Sequence, residues 1–218
     1  GVYYNLGIMF KELEEYQKAI GYYEKAIQID PNYAQAHHNL GIVFKESGEL
    51  QKAITCFQKA IHIQPNYASA HNNLGLAFIK LREYQKAISC FQKAIQLNPN
   101  HASAHSNLGI VLKELGEYQK AISCYEKAIQ IDPNYAESHN NLGLTFIKVR
   151  EYQKAISCFQ KTIQIDPNHA SAHSNLGIVL KELGEYQKAI SCYEKAIQID
   201  PNYAHVYYNF GNILQELK

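Results

Sequence analysis

The stretch AQAHHNLGIVFKESGELQKAITCFQKAIHIQPNY, residues 34–67, carries the plan of the whole chain. Ala36, Leu40, Val43 and Phe44 recur at helical spacing, which predicts a helix over 35–47 with one buried stripe. Gly48 suits the left-handed residue that closes such a helix. A second helix is predicted over 50–63, burying Leu50, Ala53, Ile54, Phe57, Ala60 and Ile61. Pro65 stops it, because the residue before a proline is pushed out of the helical region. Asn66 is read as the N-cap of the next helix.

Outside that window the pattern repeats. Proline stands at 31, 65, 99, 133, 167 and 201, always 34 residues apart, and Gly7, Gly41, Gly75, Gly109, Gly143, Gly177 and Gly211 keep the same step. So do an alanine column that starts at Ala19 and an aromatic column of Tyr23, Phe57, Phe91, Tyr125, Phe159 and Tyr193. A second small column runs from Ala26 to Ala196, interrupted only by Thr162. Small residues at fixed helical spacing let helices approach closely, and the aromatic fills the space beside them. A fixed period of this length means stacked helix pairs, each burying its neighbour's apolar face.

In spacing and in the order Leu-Gly, Ala, aromatic, Ala, Pro, the chain resembles the tetratricopeptide repeat (TPR) family over all 218 residues. The resemblance implies an all-α fold, a right-handed α-solenoid superhelix with an inner groove lined by the first helices. It implies one array, with repeats at 1–33, 34–67, 68–101, 102–135, 136–169 and 170–203 and a final helix over about 204–217 within 204–218. One departure is consistent. Where the family often has a large aromatic early in the first helix, this chain has Tyr3, His37, His71, His105, His139, His173 and Tyr207. Gly1 falls partway into a repeat, so the sequence reads as an excised piece, of a longer array or of a chain with flanking domains.

On the face opposite the buried stripe, each first helix carries one asparagine: Asn5, Asn39, Asn73, Asn107, Asn141, Asn175 and Asn209. This column resembles the asparagine ladder of the O-GlcNAc transferase repeat region, which implies binding to the backbone of an extended or disordered protein segment. The chemistry suits the task, since a carboxamide both donates and accepts. Ile8, Ile42, Leu76, Ile110, Leu144 and Ile178 form an aliphatic row beside it. One turn further, Lys11, Lys45, Lys113 and Lys181 alternate with Ile79 and Ile147. Amide bonds worth about 0.5–1.5 kcal/mol each hold a segment weakly, so specificity is expected from the flanking columns. The family's carboxylate clamp for chaperone tails needs cations beside the ladder, and that column holds Tyr4, His38, Asn72, Ser106, Asn140, Ser174 and Tyr208 instead.

Other functions find less support. A formal net charge of +1, with lysines such as Lys18 and Lys52 three residues after Glu15 and Glu49, reads as a solvated face and not a nucleic-acid track. No apolar run is long enough for a membrane span. No catalytic motif appears, no cofactor is implied, and the expectation is a non-enzymatic scaffold. Cys56, Cys90, Cys124, Cys158 and Cys192 lie one repeat apart, too far for pairing, which fits a reducing, cytoplasmic setting. The pairs His101/His105 and His169/His173 have helical spacing but no third metal ligand. Two alternatives to a peptide-binding scaffold stay open. One is a substrate-recruiting arm of a larger enzyme such as a glycosyltransferase; the other is an array that self-associates end to end through Tyr3, Tyr4, Tyr207 and Tyr208.

A longer period lies inside the first. Residues 102–135 and 170–203 are identical, and 68–101 differs from 136–169 at seven positions. Duplication of a two-repeat block, natural or designed, accounts for this; so does a ligand with a two-repeat rhythm.

Overall fold

The computed structural model describes residues 1–216. Among them are thirteen α-helices and no strand. They are α1 (Val2–Glu12), α2 (Tyr16–Ile29), α3 (Ala34–Glu46), α4 (Leu50–Ile63), α5 (Ala68–Lys80), α6 (Tyr84–Leu97), α7 (Ala102–Glu114), α8 (Tyr118–Ile131), α9 (Ala136–Lys148), α10 (Tyr152–Ile165), α11 (Ala170–Glu182), α12 (Tyr186–Ile199) and α13 (Ala204–Glu216). Leu217, expected at the end of the last helix, lies outside the described residues.

Residues 1–111 form one compact unit and residues from 112 onward a second, the division falling within α7. In the first unit α1 packs on α2, α3 on α4 and α5 on α6, while α2 meets α3 and α4 meets α5. The second unit repeats this order, α9 packing on α10 and α11 on α12, with α8 against α9, α10 against α11 and α12 against α13. Each unit is therefore a stretch of α-solenoid built from helix pairs.

What sets each pair is a glycine with an aromatic ring seated on it. A Cβ on Gly41 would lie 2.7 Å from the Phe57 ring, and one on Gly143 2.7 Å from Phe159. Gly75 and Gly177 meet Phe91 and Tyr193 in the same way. All four rings are fully buried, as are the alanines Ala53, Ala87, Ala155 and Ala189 one turn earlier. The rings carry the apolar area; the missing glycine side chains let it close.

The turns show two solutions. Gly48, Gly116 and Gly184 adopt φ of +83, +77 and +76°, as expected for a helix end. At the matching place in the other repeats stand Glu14, Arg82 and Arg150, with φ of +57, +58 and +62°. The expected cap at Asn66 is not what starts α5: the N-cap is Tyr67, with no side-chain cap bond. The five other proline turns are tied by a side chain just before the proline. Asp30 Oδ1 accepts from the Asn32 amide at 3.0 Å, and Asp132 and Asp166 do the same for Asn134 and Asn168.

On the second-helix face, charge is settled locally. Lys18, Lys52, Lys86, Lys120, Lys154 and Lys188 each pair with the glutamate three residues earlier. Lys52, Lys86 and Lys154 also lie over Phe44, Phe78 and Phe146, 5.2, 5.3 and 5.3 Å from the ring centres. Among the described residues, no helix is long and apolar enough to cross a membrane.

Candidate functional site

The histidine column closes the turn ahead of each first helix. Nε2 of His37, His71, His105, His139 and His173 lies 3.0–3.1 Å from the carbonyl of the proline six residues earlier. Tyr207 does the same through its hydroxyl, donating to Pro201 O at 3.1 Å. The His101/His105 pair does not converge, because His101 Nδ1 faces Ser103 Oγ at 3.1 Å while His105 turns to Pro99. His169 Nδ1 accepts from the Ala172 amide at 3.1 Å and so caps α11. Burial pushes the thiols of Cys56, Cys90, Cys124 and Cys192 up to about 11 and that of Cys158 to about 12, so all five stay protonated near neutral pH.

The asparagine column does not stand open as the sequence suggested. Asn5 is exposed, Asn107 is buried, and Asn39, Asn73, Asn141, Asn175 and Asn209 are half-buried. Four of their Nδ2 groups are given to the first helix of the preceding repeat, at a position 35 residues earlier. Asn39 donates to Tyr4 Oη at 3.0 Å, Asn107 to Asn72 Oδ1 at 3.0 Å and Asn175 to Asn140 Oδ1 at 3.1 Å. Asn73 Nδ2 lies 2.9 Å from His38 Nε2. The ladder is thus partly engaged within the fold. An amide that gives one N–H to its neighbour keeps its second N–H and its carbonyl oxygen.

The column that receives these bonds is the one holding Tyr4, His38, Asn72, Ser106, Asn140, Ser174 and Tyr208. Its one signal in the sequence is that it holds polar residues throughout, five of them buried: His38, Asn72, Ser106, Asn140 and Ser174. Where the receiving residue is Ser174 the bond is not made; its Oγ and the Nδ2 of Asn209 are both buried without a partner. His38 is the most heavily used member. Lys45 Nζ donates to Asn73 Oδ1 at 3.3 Å, which fixes that amide with Nδ2 toward the imidazole. His38 Nε2 is thus an acceptor, and the proton sits on Nδ1, 3.2 Å from the Tyr67 hydroxyl. Burial drives the His38 ring down to about 4.

The aliphatic row, Ile8, Ile42, Leu76, Ile110, Leu144 and Ile178, is half-buried throughout, as are Lys45, Lys113 and Lys181. In the second unit several of these columns meet in one cleft of about 450 Å³ across α7, α9 and α11. Leu144, Ile147 and Ile178 supply its aliphatic wall, Asn175 an amide, and Lys113 and Lys148 two ammonium groups. Desolvation holds the Lys113 amine below its usual range; Glu114 opposes that effect and Lys148 adds to it. Lys45 in the first unit is lowered in the same way, by burial first and then by Lys80 and Lys11 against Glu46.

A helical-hairpin array with a cleft of side chains drawn from successive repeats defines a protein-interaction scaffold. Tetratricopeptide-repeat models match residues 66–134, 101–168, 2–33 and 170–203, and related TPR models match 43–82, 22–55 and 192–218. No curated protein sequence matches the chain. Among solved structures, MamA is 30% identical with a TM-score of 0.66, over 76% of this chain and 97% of its own. YrrB, a TPR protein with an unusual peptide-binding site, is 24% identical with a TM-score of 0.65, over 86% of this chain and 96% of its own. A chain of the APC/C assembly Cut9–Hcn1 superposes with a TM-score of 0.88 at 20% identity. The match takes in 97% of this chain but only 42% of that one. The chain belongs to the tetratricopeptide repeat family.

Proposed function

We propose that the chain holds an extended segment of another protein along the faces of its first helices. The observation that carries this reading is the cleft in which Lys113, Leu144, Asn175 and Ile178, drawn from three repeating columns, share one cavity. The aliphatic wall supplies desolvation, and Asn175, which gives one N–H to Asn140, keeps its carbonyl and second N–H for a peptide backbone. YrrB, a TPR protein with a peptide-binding site, supports the scaffold's capacity to carry one. With few bonds set against an association cost of about 4–15 kcal/mol, affinity in the micromolar range is expected.

Selection of twelve-residue peptides from a randomised display library tests the reading directly. Peptides enriched on the 218-residue chain should bind the Leu144→Gln, Ile178→Gln double variant at least about tenfold more weakly, with helicity by circular dichroism unchanged. Equal binding to both proteins would sink the assignment.

A further inference from the structure

The second-unit cleft holds a polar group that the protein's own contacts leave unsatisfied. Lys113 is largely enclosed, its side chain 17% exposed, and no acceptor among the described residues lies within hydrogen-bonding distance of its ammonium. The nearest carboxylate is that of the adjacent Glu114, 3.9 Å away and 52% exposed. Lys148 lines the same cavity and has no carboxylate partner among the described residues. Two lysines, Lys113 enclosed and Lys148 exposed, thus line one cleft with a single carboxylate, that of the exposed Glu114.

The equivalent lysine of the first unit shows what satisfaction looks like. Lys45 Nζ donates a hydrogen bond to Asn73 Oδ1 at 3.3 Å, an acceptor supplied from within the fold. Lys113 has no such bond. A half-buried ammonium with free donors and a like charge nearby gains most from an anionic acceptor brought in from outside, since charge-assisted bonds are shorter and stronger than neutral ones.

We infer that this cleft selects a segment in which an aspartate or glutamate lies beside an aliphatic residue, the carboxylate seated between Lys113 and Lys148 and the aliphatic group on Leu144, Ile147 and Ile178. This rests on the peptide-binding reading above and adds to it the chemistry of the partner. The carboxylate is a side chain within the segment, not a chain terminus, because the cleft lies along the helix faces of three successive repeats. The aliphatic wall, beside only two ammonium groups and Glu114, disfavours a continuous polyphosphate backbone.

The same selection, run with peptides capped at both ends, decides it. Enriched peptides should carry an acidic residue next to Leu, Ile or Val. Replacing that residue by its amide should weaken binding to the intact chain about tenfold. Lys113→Gln and Lys148→Gln should each bring the two peptides within about twofold of one another, while Lys45→Gln and Lys93→Gln, at an exposed position of α6, leave the difference intact. Enrichment without acidic preference overturns this inference and leaves the segment-binding reading standing. Acidic preference that depends on Lys45 instead of Lys113 overturns the placement. No enrichment of any peptide overturns both.

Discussion

Repeats three and five (68–101 and 136–169) and repeats two, four and six (34–67, 102–135 and 170–203) share a core and differ in what is laid over it. In both sets a buried aromatic presses on a helix glycine and an alanine column stays fully enclosed. The even repeats turn through Gly48, Gly116 and Gly184, the odd ones through Arg82 and Arg150 in the same left-handed conformation. The even repeats carry Lys45, Lys113 and Lys181 on the first helix where the odd ones carry Ile79 and Ile147. The odd repeats receive the next repeat's amide with Asn72 and Asn140; the even ones offer His38, Ser106 and Ser174. Helix pairing is therefore set once per 34 residues, while turn, charge and bracing alternate over two repeats.

Exchanging residues between the two sets tests that division. The largest effect is expected from His38→Asn, which places in repeat two the side chain that repeat three has at Asn72. Burial lowers His38 from 6.5 to about 4, so the unfolded chain takes up its proton first. The group's stabilising contribution is complete above pH 6.5 and is lost as pH falls toward 4, on the order of 3 kcal/mol in all. Denaturant unfolding at pH 7 and pH 4.5 should show the difference between the two proteins collapsing or reversing in acid. A pH dependence equal in both would place the proton elsewhere.

The shared core is probed by Gly143→Ala and Gly41→Ala, one from each set. Each drives a methyl into a ring, and each should cost about 2 kcal/mol despite the better helix propensity of alanine. Thermal melts that penalise only one set would break the idea of a common core. A smaller gain is expected from Tyr125→Phe, which gives repeat four the ring already present at Phe91 and Phe159. The Tyr125 hydroxyl is buried without a partner, and its removal should raise stability by about 1 kcal/mol, read from the denaturation midpoint. Smallest of all, Arg82→Gly imports the even-repeat turn. Relief of the left-handed backbone, set against the added freedom of the unfolded chain, should leave about 0.5 kcal/mol in its favour.

Much of this fold was legible because its determinants lie within one repeat. The second helix expected over 50–63 is α4, Leu50–Ile63, since Pro65 and the Ala53, Phe57, Ala60 spacing are local signals. The left-handed turn was readable at Gly48 but not at Arg82 or Arg150, because only glycine announces that conformation by its identity. Asn66 looked like a cap and is not one, its turn being held by the Tyr67 amide on Gln64 O and by His71 on Pro65 O. The site was harder. Whether Asn175 faces a ligand or Asn140 depends on how far one first helix is offset from the next, and no single repeat encodes that offset. The same offset brings Lys113 and Lys148, 35 residues apart in sequence, into one cleft.

The amides that four of the first helices give to the one before also act as rungs between neighbouring layers. A repeat array holds together as the sum of its layers and the joints between them, so any joint that lacks a rung melts earlier than its neighbours. Serine reaches one bond less far than asparagine, and the joint between Ser174 and Asn209 is left without one. Unzipping of the second unit should begin there, peeling α13 away while the layers joined by Asn140 and Asn175 stay closed.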